Sequence, residues 1–398
     1  KVGMKMKRVC IVVPPNLPMP PVKGGAIETL MQYIVDVNEV SKAIDLTIIS
    51  LYSKEAEECS KKYKNTKYIY YKWNKIDDIK YFIFRVLRKI FNFKLRYFQP
   101  YEYFVTKYVI ENKFDVFVNE SADFTAFKKI SDYLGKDKCF AHLHSEFKCE
   151  KIIDDTFGTI ISVSDYIKNK WLLTSKLSKD QIVVLRNCVD KDRFCKDICD
   201  EEINRIKTNL GFDKNDFIVL FCGRIVEEKG ALELIEAINN IKDDNVKLMV
   251  IGSPNFGKET KTRYLSEVEQ VISRCKERII FTGYVDNSEL YKYYAICDCS
   301  VVPSTYEDPA PLVPIEGLMA EKPLIITNSG GAIEYVDEKC AIIVEKEKNL
   351  IENLTNSIIY LKRNHDVCCS MQENAKERSK LYTKEKYFNN FIKLILGT

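Results

Sequence analysis

Hydrophobic positions along the chain collect into short runs separated by longer stretches of mixed polarity. In the first half the runs are Val9–Val13, Asp45–Ser50, Tyr68–Tyr71, Asp115–Val118, Cys139–His144, Thr159–Val163 and Ile182–Leu185. In the second half they are Phe217–Cys222, Lys247–Ile251, Ile279–Thr282, Cys299–Val302, Leu324–Thr327 and Ala341–Val344. These runs are continuous rather than alternating, as in parallel strands covered on both faces. The stretches between them are long enough for helices, and strands interleaved with helices predict βαβ units in doubly wound sheets. Two successive sets of runs predict two such α/β domains, and 398 residues agree with that at roughly 100–200 residues per domain. The join is expected within 187–194. A polar helix and the fresh strand Phe217–Cys222 then open the second domain. The last segment, Thr383–Leu396, reads as an amphipathic helix.

One stretch departs from the pattern of a surface helix. Lys80–Phe98 carries six cationic residues and no acidic one. On a helical wheel Arg85, Arg88, Lys89, Asn92 and Arg96 gather within about 100°, and large apolar residues fill most of the rest. A helix lying in a membrane interface with a basic face has this character. A helix buried in the domain with one solvated cationic edge is the alternative. No apolar run reaches the ~18 residues that span a bilayer.

Composition narrows the function classes. Lys plus Arg number 61 against 57 Asp plus Glu, a net charge of +4 that does not argue for nucleic acid. The 14 cysteines show no recurring CxxC pair and the histidines number three, so no metal-finger pattern emerges. Cysteines inside apolar runs, such as Cys10 and Cys222, read as buried free thiols of a reducing cytoplasm.

Three loops carry candidate chemistry. Gly24-Gly25 follows the first strand and precedes a helical stretch, where backbone can approach an anion. No GxGxxG fingerprint follows any strand, which counts against a dinucleotide enzyme. In the second half, Gly223-Arg224 and Lys229-Gly230 follow Phe217–Cys222. Two cations at the C-terminal edge of a strand suit a diphosphate. The plain alternative pairs Lys229 with Glu227 or Glu228 on the surface. Finally, 303–320 follows a strand and opens a helix, with Asp308 before it and Glu316 in its early turns. Those carboxylates could grip sugar hydroxyls or simply cap the helix. Eight helical residues span ~12 Å, more than the roughly 5–9.5 Å of a glycosidase pair. Binding roles are therefore expected rather than an acid/base pair.

Taken together these motifs resemble glycosyltransferase family 4, the large retaining GT-B family. That family carries a glycine pair in its first loop, an Arg-x4-Lys phosphate motif and an acidic-x7-Glu motif. Here they read Gly24-Gly25, Arg224 to Lys229, and Asp308 to Glu316. Val163-Ser164-Asp165, Asn187-Cys188-Val189-Asp190 with Phe194, Phe281-Thr282-Gly283-Tyr284 and Asn328–Glu334 also match, in order. The resemblance implies two Rossmann-like domains facing across a cleft. It divides the chain into an acceptor domain (1–188), a nucleotide-sugar donor domain (189–378) and a C-terminal helix (379–398) returning to the first domain. It implies that Arg224 and Lys229 neutralise the diphosphate and that Glu316 holds the ribose. Gly24, Gly25, Gly223, Leu312 and Val313 would offer backbone to the donor, and Tyr284 and Val285 would line the base pocket. His144 and Asp308 would touch the donor sugar, with Glu307 as the adjacent alternative carboxylate. Two positions depart from the family: Asp308 where Glu is usual, and Cys188 where Gly usually follows the hinge asparagine.

The implied reaction is a retaining transfer of a hexose-type sugar from a nucleoside-diphosphate sugar to a glycan acceptor, lipid-linked, in surface polysaccharide or glycoconjugate synthesis. No cofactor or metal is expected, and the one DxD string, Asp190-Lys191-Asp192, falls in the hinge. The implied place is the cytoplasm, peripheral on the inner membrane face through Lys80–Phe98. A nucleotide-sugar epimerase of the same architecture, or a non-catalytic nucleotide-sugar-binding partner, would show the same motifs.

Overall fold

The computed structural model describes residues 6–91, 99–196, 198–252, 263–273 and 276–397. The chain forms two compact units, one of residues 1–187 with 384–398, the other of 188–383.

The first unit is built on strands β1 (Arg8–Val12), β2 (Asp45–Leu51), β3 (Thr66–Tyr71), β4 (Val116–Glu120), β5 (Cys139–Leu143), β6 (Thr159–Ser162) and β7 (Ile182–Val184). They form one sheet in the order β3-β2-β1-β4-β5-β6-β7, and every pairing is parallel. The central strands β1 and β4 are buried almost throughout, which is why their sequences are unbroken apolar runs. Tyr101 is wholly buried, and its hydroxyl donates to the carbonyls of Val13 and Ile49 beyond β1 and within β2. The single proton is shared between them just past the end of β1, where the Ile49 carbonyl also accepts from the Val13 N–H.

The second unit contains β8 (Phe217–Cys222), β9 (Val246–Ile251), β10 (Ile279–Gly283), β11 (Cys299–Val302), β12 (Leu324–Thr327) and β13 (Ala341–Val344). Their order is β10-β9-β8-β11-β12-β13, again all parallel. In both sheets the strand order reverses beside the first strand. Such reversals open a crevice at the C-terminal strand ends, where α/β sheets place ligands. All thirteen expected strands are present, within a few residues of their expected bounds.

The division at the second join differs from the expected 378/379. Arg378 donates from Nε to the Tyr335 carbonyl and pairs with Asp337, and Tyr382 is buried with its ring 5.2 Å from that of Tyr335. These contacts hold 379–383 in the second unit. Val189 and Thr383 form a parallel bridge within this unit. The last helix, Lys384–Leu396, then belongs to the first unit and packs against the helix Ala26–Ser41. It buries Tyr387, Phe388, Phe391 and Ile395, each worth about 1.5–3 kcal/mol of burial.

Of the basic and apolar stretch Lys80–Phe98, the part to Phe91 lies in the helix Lys75–Phe91 and residues 92–98 fall outside the described residues. Ile76, Ile79, Ile83 and Val86 recur at helical spacing and are all exposed, as is Phe82 at 66%. This stripe faces outward rather than into the core. No helix among the described residues is long and apolar enough to cross a membrane.

Candidate functional site

In the second unit the motif residues meet at the C-terminal ends of β8 and β11. β8 ends at Cys222, and a tight turn over Glu227–Lys229 follows. Gly230 closes that turn at φ 70, and a side chain on it would run into the carbonyl of Pro303. Only glycine allows both the left-handed backbone and this approach. The turn is stitched to the loop after β11: Thr305 donates from its backbone N–H to the Glu228 carbonyl and from its hydroxyl to the Glu227 carbonyl.

That docking brings Lys229 onto Asp308. Nζ lies 2.5 Å from Asp308 Oδ2 and 3.3 Å from the Tyr306 hydroxyl. The surface pairing of Lys229 with Glu227 or Glu228 is not what forms. Asp308 is only 4% exposed, and a carboxylate buried to that extent is one that a cationic partner stabilises. Its backbone is gripped as well. Ser329 Oγ accepts from the Asp308 N–H and donates to the Tyr306 carbonyl, and Gly331 donates to the Asp308 carbonyl. Glu307 turns the other way, accepting from the Gly330 N–H and pairing with Lys346. These contacts tie it to the glycine loop, whereas Asp308 faces Lys229. Arg224 is exposed, and its guanidinium forms no ion pair or hydrogen bond among the described residues. Its charge bears on the Tyr306 hydroxyl.

Glu316 is the fourth residue of the helix Val313–Met319, which Pro314 helps to start and Leu312 precedes. Its N–H donates to the Leu312 carbonyl, and its Oε2 accepts from the Tyr294 hydroxyl at 3.4 Å. Burial raises its carboxyl above the ordinary value, against the opposing influence of Arg193 and Tyr294. A carboxyl held in a crevice is suited to hydroxyl recognition. Arg193 comes from the short helix Lys191–Phe194, where Asp190 accepts from the Asp192 N–H. The DxD string is thus a helix cap.

Three adjacent strands end in glycine: Gly223 after β8, Gly252 after β9 and Gly283 at the end of β10. Gly252 has φ 145, and a side chain there would strike the Gly223 carbonyl. Gly252 donates to the Gly283 carbonyl. Together they make a shelf of bare backbone at the crevice. Gly252 was not singled out from sequence, although a glycine closing each of three successive runs was there to be read. Tyr284 is exposed and Val285 half-buried, two strand spacings (about 10 Å) from β8. They line a cavity of about 450 Å³ with Asn209, Thr282, Asp286 and Tyr293.

The first unit holds Gly24, Gly25 and His144. Gly24 (φ 75) and Gly25 (φ 106) lead into the helix Ala26–Ser41, and a side chain on Gly25 would collide with Glu28. Burial raises the Glu28 carboxyl. His144 follows β5 and shares a carboxylate with His142. Its Nε2 hydrogen-bonds Glu120 Oε2 at 2.8 Å, and His142 Nδ1 is 2.9 Å from the same oxygen. Burial and the neighbouring His142 depress His144 to about 4, so its imidazole is neutral at neutral pH. Burial works to raise Glu120, but the two histidines outweigh it and hold the carboxyl at about 2. Sequence reasoning had passed over Glu120. The signal was a glutamate closing the strand before His142-Leu143-His144.

Residues 202–378 match the family model described as Glycosyl transferases group 1. That match covers most of the second unit, including Arg224, Lys229, Asp308 and Glu316. A lipopolysaccharide 1,2-N-acetylglucosaminetransferase of Salmonella typhimurium is 22% identical over 83% of each chain. Among solved structures, Anabaena Alr3699/HepE in complex with UDP is 16% identical, with a TM-score of 0.75 over 98% of this chain and 100% of that one. WaaG, a glycosyltransferase involved in lipopolysaccharide biosynthesis, is 13% identical, with a TM-score of 0.67 over 98% and 100%. The two parallel-sheet α/β domains are those of the GT-B fold.

Proposed function

We propose that the chain is a retaining glycosyltransferase that moves a hexose-type sugar from a nucleoside-diphosphate sugar to a glycan acceptor, lipid-linked, in surface polysaccharide or glycolipid synthesis. The observation that carries this reading is the group at the ends of β8 and β11. Lys229 is held on Asp308 there, beside an exposed Arg224, within the segment that matches the glycosyltransferase family model. The names of the relatives support the setting, since two concern lipopolysaccharide and one was solved with UDP.

In this reading the diphosphate sits on the glycine shelf and draws on Arg224 and Lys229. Lys229 is shared between Asp308 and a phosphate, so donor binding trades part of one ion pair for another. As the bond to the sugar breaks, negative charge grows on the departing diphosphate. Fixed cations placed for that charge lower the barrier more than they tighten the ground state. They would stand in for a metal at the diphosphate. Asp308, freed on one side, takes sugar hydroxyls, and the backbone of Leu312 and Val313 adds further contacts. Glu316 takes the ribose hydroxyls, and Tyr284 and Val285 take the base. The departing phosphate can accept the acceptor's proton. The first unit is assigned the acceptor, and the exposed stripe Ile76, Ile79, Ile83 and Val86 supports peripheral contact with the inner membrane face.

The test is release of nucleoside diphosphate across a panel of sugar nucleotides and acceptors. Arg224→Ala and Glu316→Ala should each lose at least ~100-fold in kcat/KM. Normal turnover in both variants would refute the assignment. NMR of the product's anomeric centre tests retention, and isomerisation of the donor without acceptor would point to an epimerase instead.

A further inference from the structure

We propose that Glu120, His142 and His144 bind one divalent transition-metal ion of the zinc class. The ligands come from two neighbouring strands of the first unit. Glu120 ends β4 and stands in register with His142 of β5. Side chains two apart on an extended chain share a face, so His142 and His144 project together. One ligand atom from each of the three residues lies within 4.8 Å of the others. His144 Nε2 and His142 Nδ1 are 2.8 Å and 2.9 Å from the same Glu120 oxygen. Donors each about 2.0–2.1 Å from one ion stand about 3 Å apart, so the three groups need little movement to share one.

A purely hydrogen-bonded triad leaves atoms over. The contact of His144 with Glu120 is a sound hydrogen bond. His142 Nδ1 is out of line for one, and neither ring nitrogen of this wholly buried residue has a hydrogen-bond partner among the described residues. Glu120 Oε1 is likewise buried and unpartnered. Buried polar atoms rarely stay so, and an ion is one of the standard explanations. An ion placed among the three gives Nδ1 the partner it lacks. Two imidazoles and one carboxylate, with a coordination position left open, are a zinc-type ligand set. Calcium and magnesium prefer all-oxygen shells and do not fit. The backbone holds the set in place: Ser121, at φ 60, donates from Oγ to the His142 carbonyl. The site stands on these contacts alone and does not depend on the transferase reading.

Co²⁺ is the probe, added to full-length protein stripped with a chelator. The expected result is one ion per chain, with visible ligand-field absorption and no sulfur-to-cobalt charge transfer. The latter matters because the chain has 14 cysteines. Zn²⁺ should displace the Co²⁺ and raise the thermal midpoint. Glu120→Gln and His142→Gln should weaken Co²⁺ beyond the about 10–100-fold cost of losing an outer-shell partner. His365→Gln, which alters the exposed third histidine near Cys369, should leave binding unchanged. Absence of stoichiometric binding, a thiolate spectrum, equal binding in the Glu120 and His142 variants, or loss in the His365 variant overturns the proposal. Should the two buried variants fail to fold, the wild-type stoichiometry and spectrum decide it.

Discussion

The contact between Lys229 and Asp308 spans 79 positions of sequence. Each residue had an ordinary surface or capping role open to it in isolation. What joins them is the adjacency of β8 and β11 together with the glycine that lets the two loops touch. The choice between Glu307 and Asp308 was likewise illegible in sequence, since neighbours on a loop point wherever their partners are. Glu316 offers a prediction at this scale. Its carboxyl is raised in the folded protein by burial. The folded state therefore favours the protonated form. That contribution is full below the ordinary carboxylate value and is lost as pH rises through the folded one. Glu316→Gln should remove this pH slope and unfold at a higher temperature than wild type at neutral pH, while losing transfer activity. Thermal melts from pH 4 to 8 check it, and an unchanged slope would show that Glu316 is not the source.

At the level of elements, loops after strands carry the candidate chemistry and glycines decide how close those loops come. Gly230→Ala forces a side chain into the Pro303 carbonyl and strains a left-handed backbone, a cost of about 1–3 kcal/mol. The expected outcome is a lower thermal midpoint and weaker nucleoside-diphosphate binding by calorimetry, with Lys229 itself intact. Gly135→Ala is the comparison, since it has positive φ but open space around it, and it should leave binding untouched. The helix Lys75–Phe91 supplies the second prediction at this scale. Its composition marked it as basic and apolar, and Ile76, Ile79, Phe82, Ile83 and Val86 stand exposed, unused by the core. Co-sedimentation with anionic liposomes should be lost in an Ile79→Ser, Phe82→Ser, Ile83→Ser variant. It should also be lost when Arg85, Arg88 and Lys89 are reversed in charge. If both variants sediment like wild type, the membrane reading of this helix fails.

Over the whole molecule, the C-terminal helix completes a unit whose other residues end near position 187. Ending the chain after Thr383 would expose the face of Ala26–Ser41 and strip away Phe388 and Phe391, both buried. The expected result is selective loss of the first unit's stability. Hydrogen exchange should rise in β1 to β7 while the second unit keeps its protection. Equal protection in both units would mean that the helix is dispensable.

The sequence by itself determined the two doubly wound sheets, because a strand covered on both faces must be a continuous apolar run and a parallel neighbour demands a helical crossover between runs. It placed Arg224, Lys229, Asp308 and Glu316 for the same reason: their places are set by where strands end. Only the tertiary structure decided which charges meet, which way Glu307 turns, and that Glu120 stands against His142 and His144. Those are contacts across strands and loops. Their geometry follows from sheet order, register and glycine-permitted approach, and no local pattern of residues encodes it.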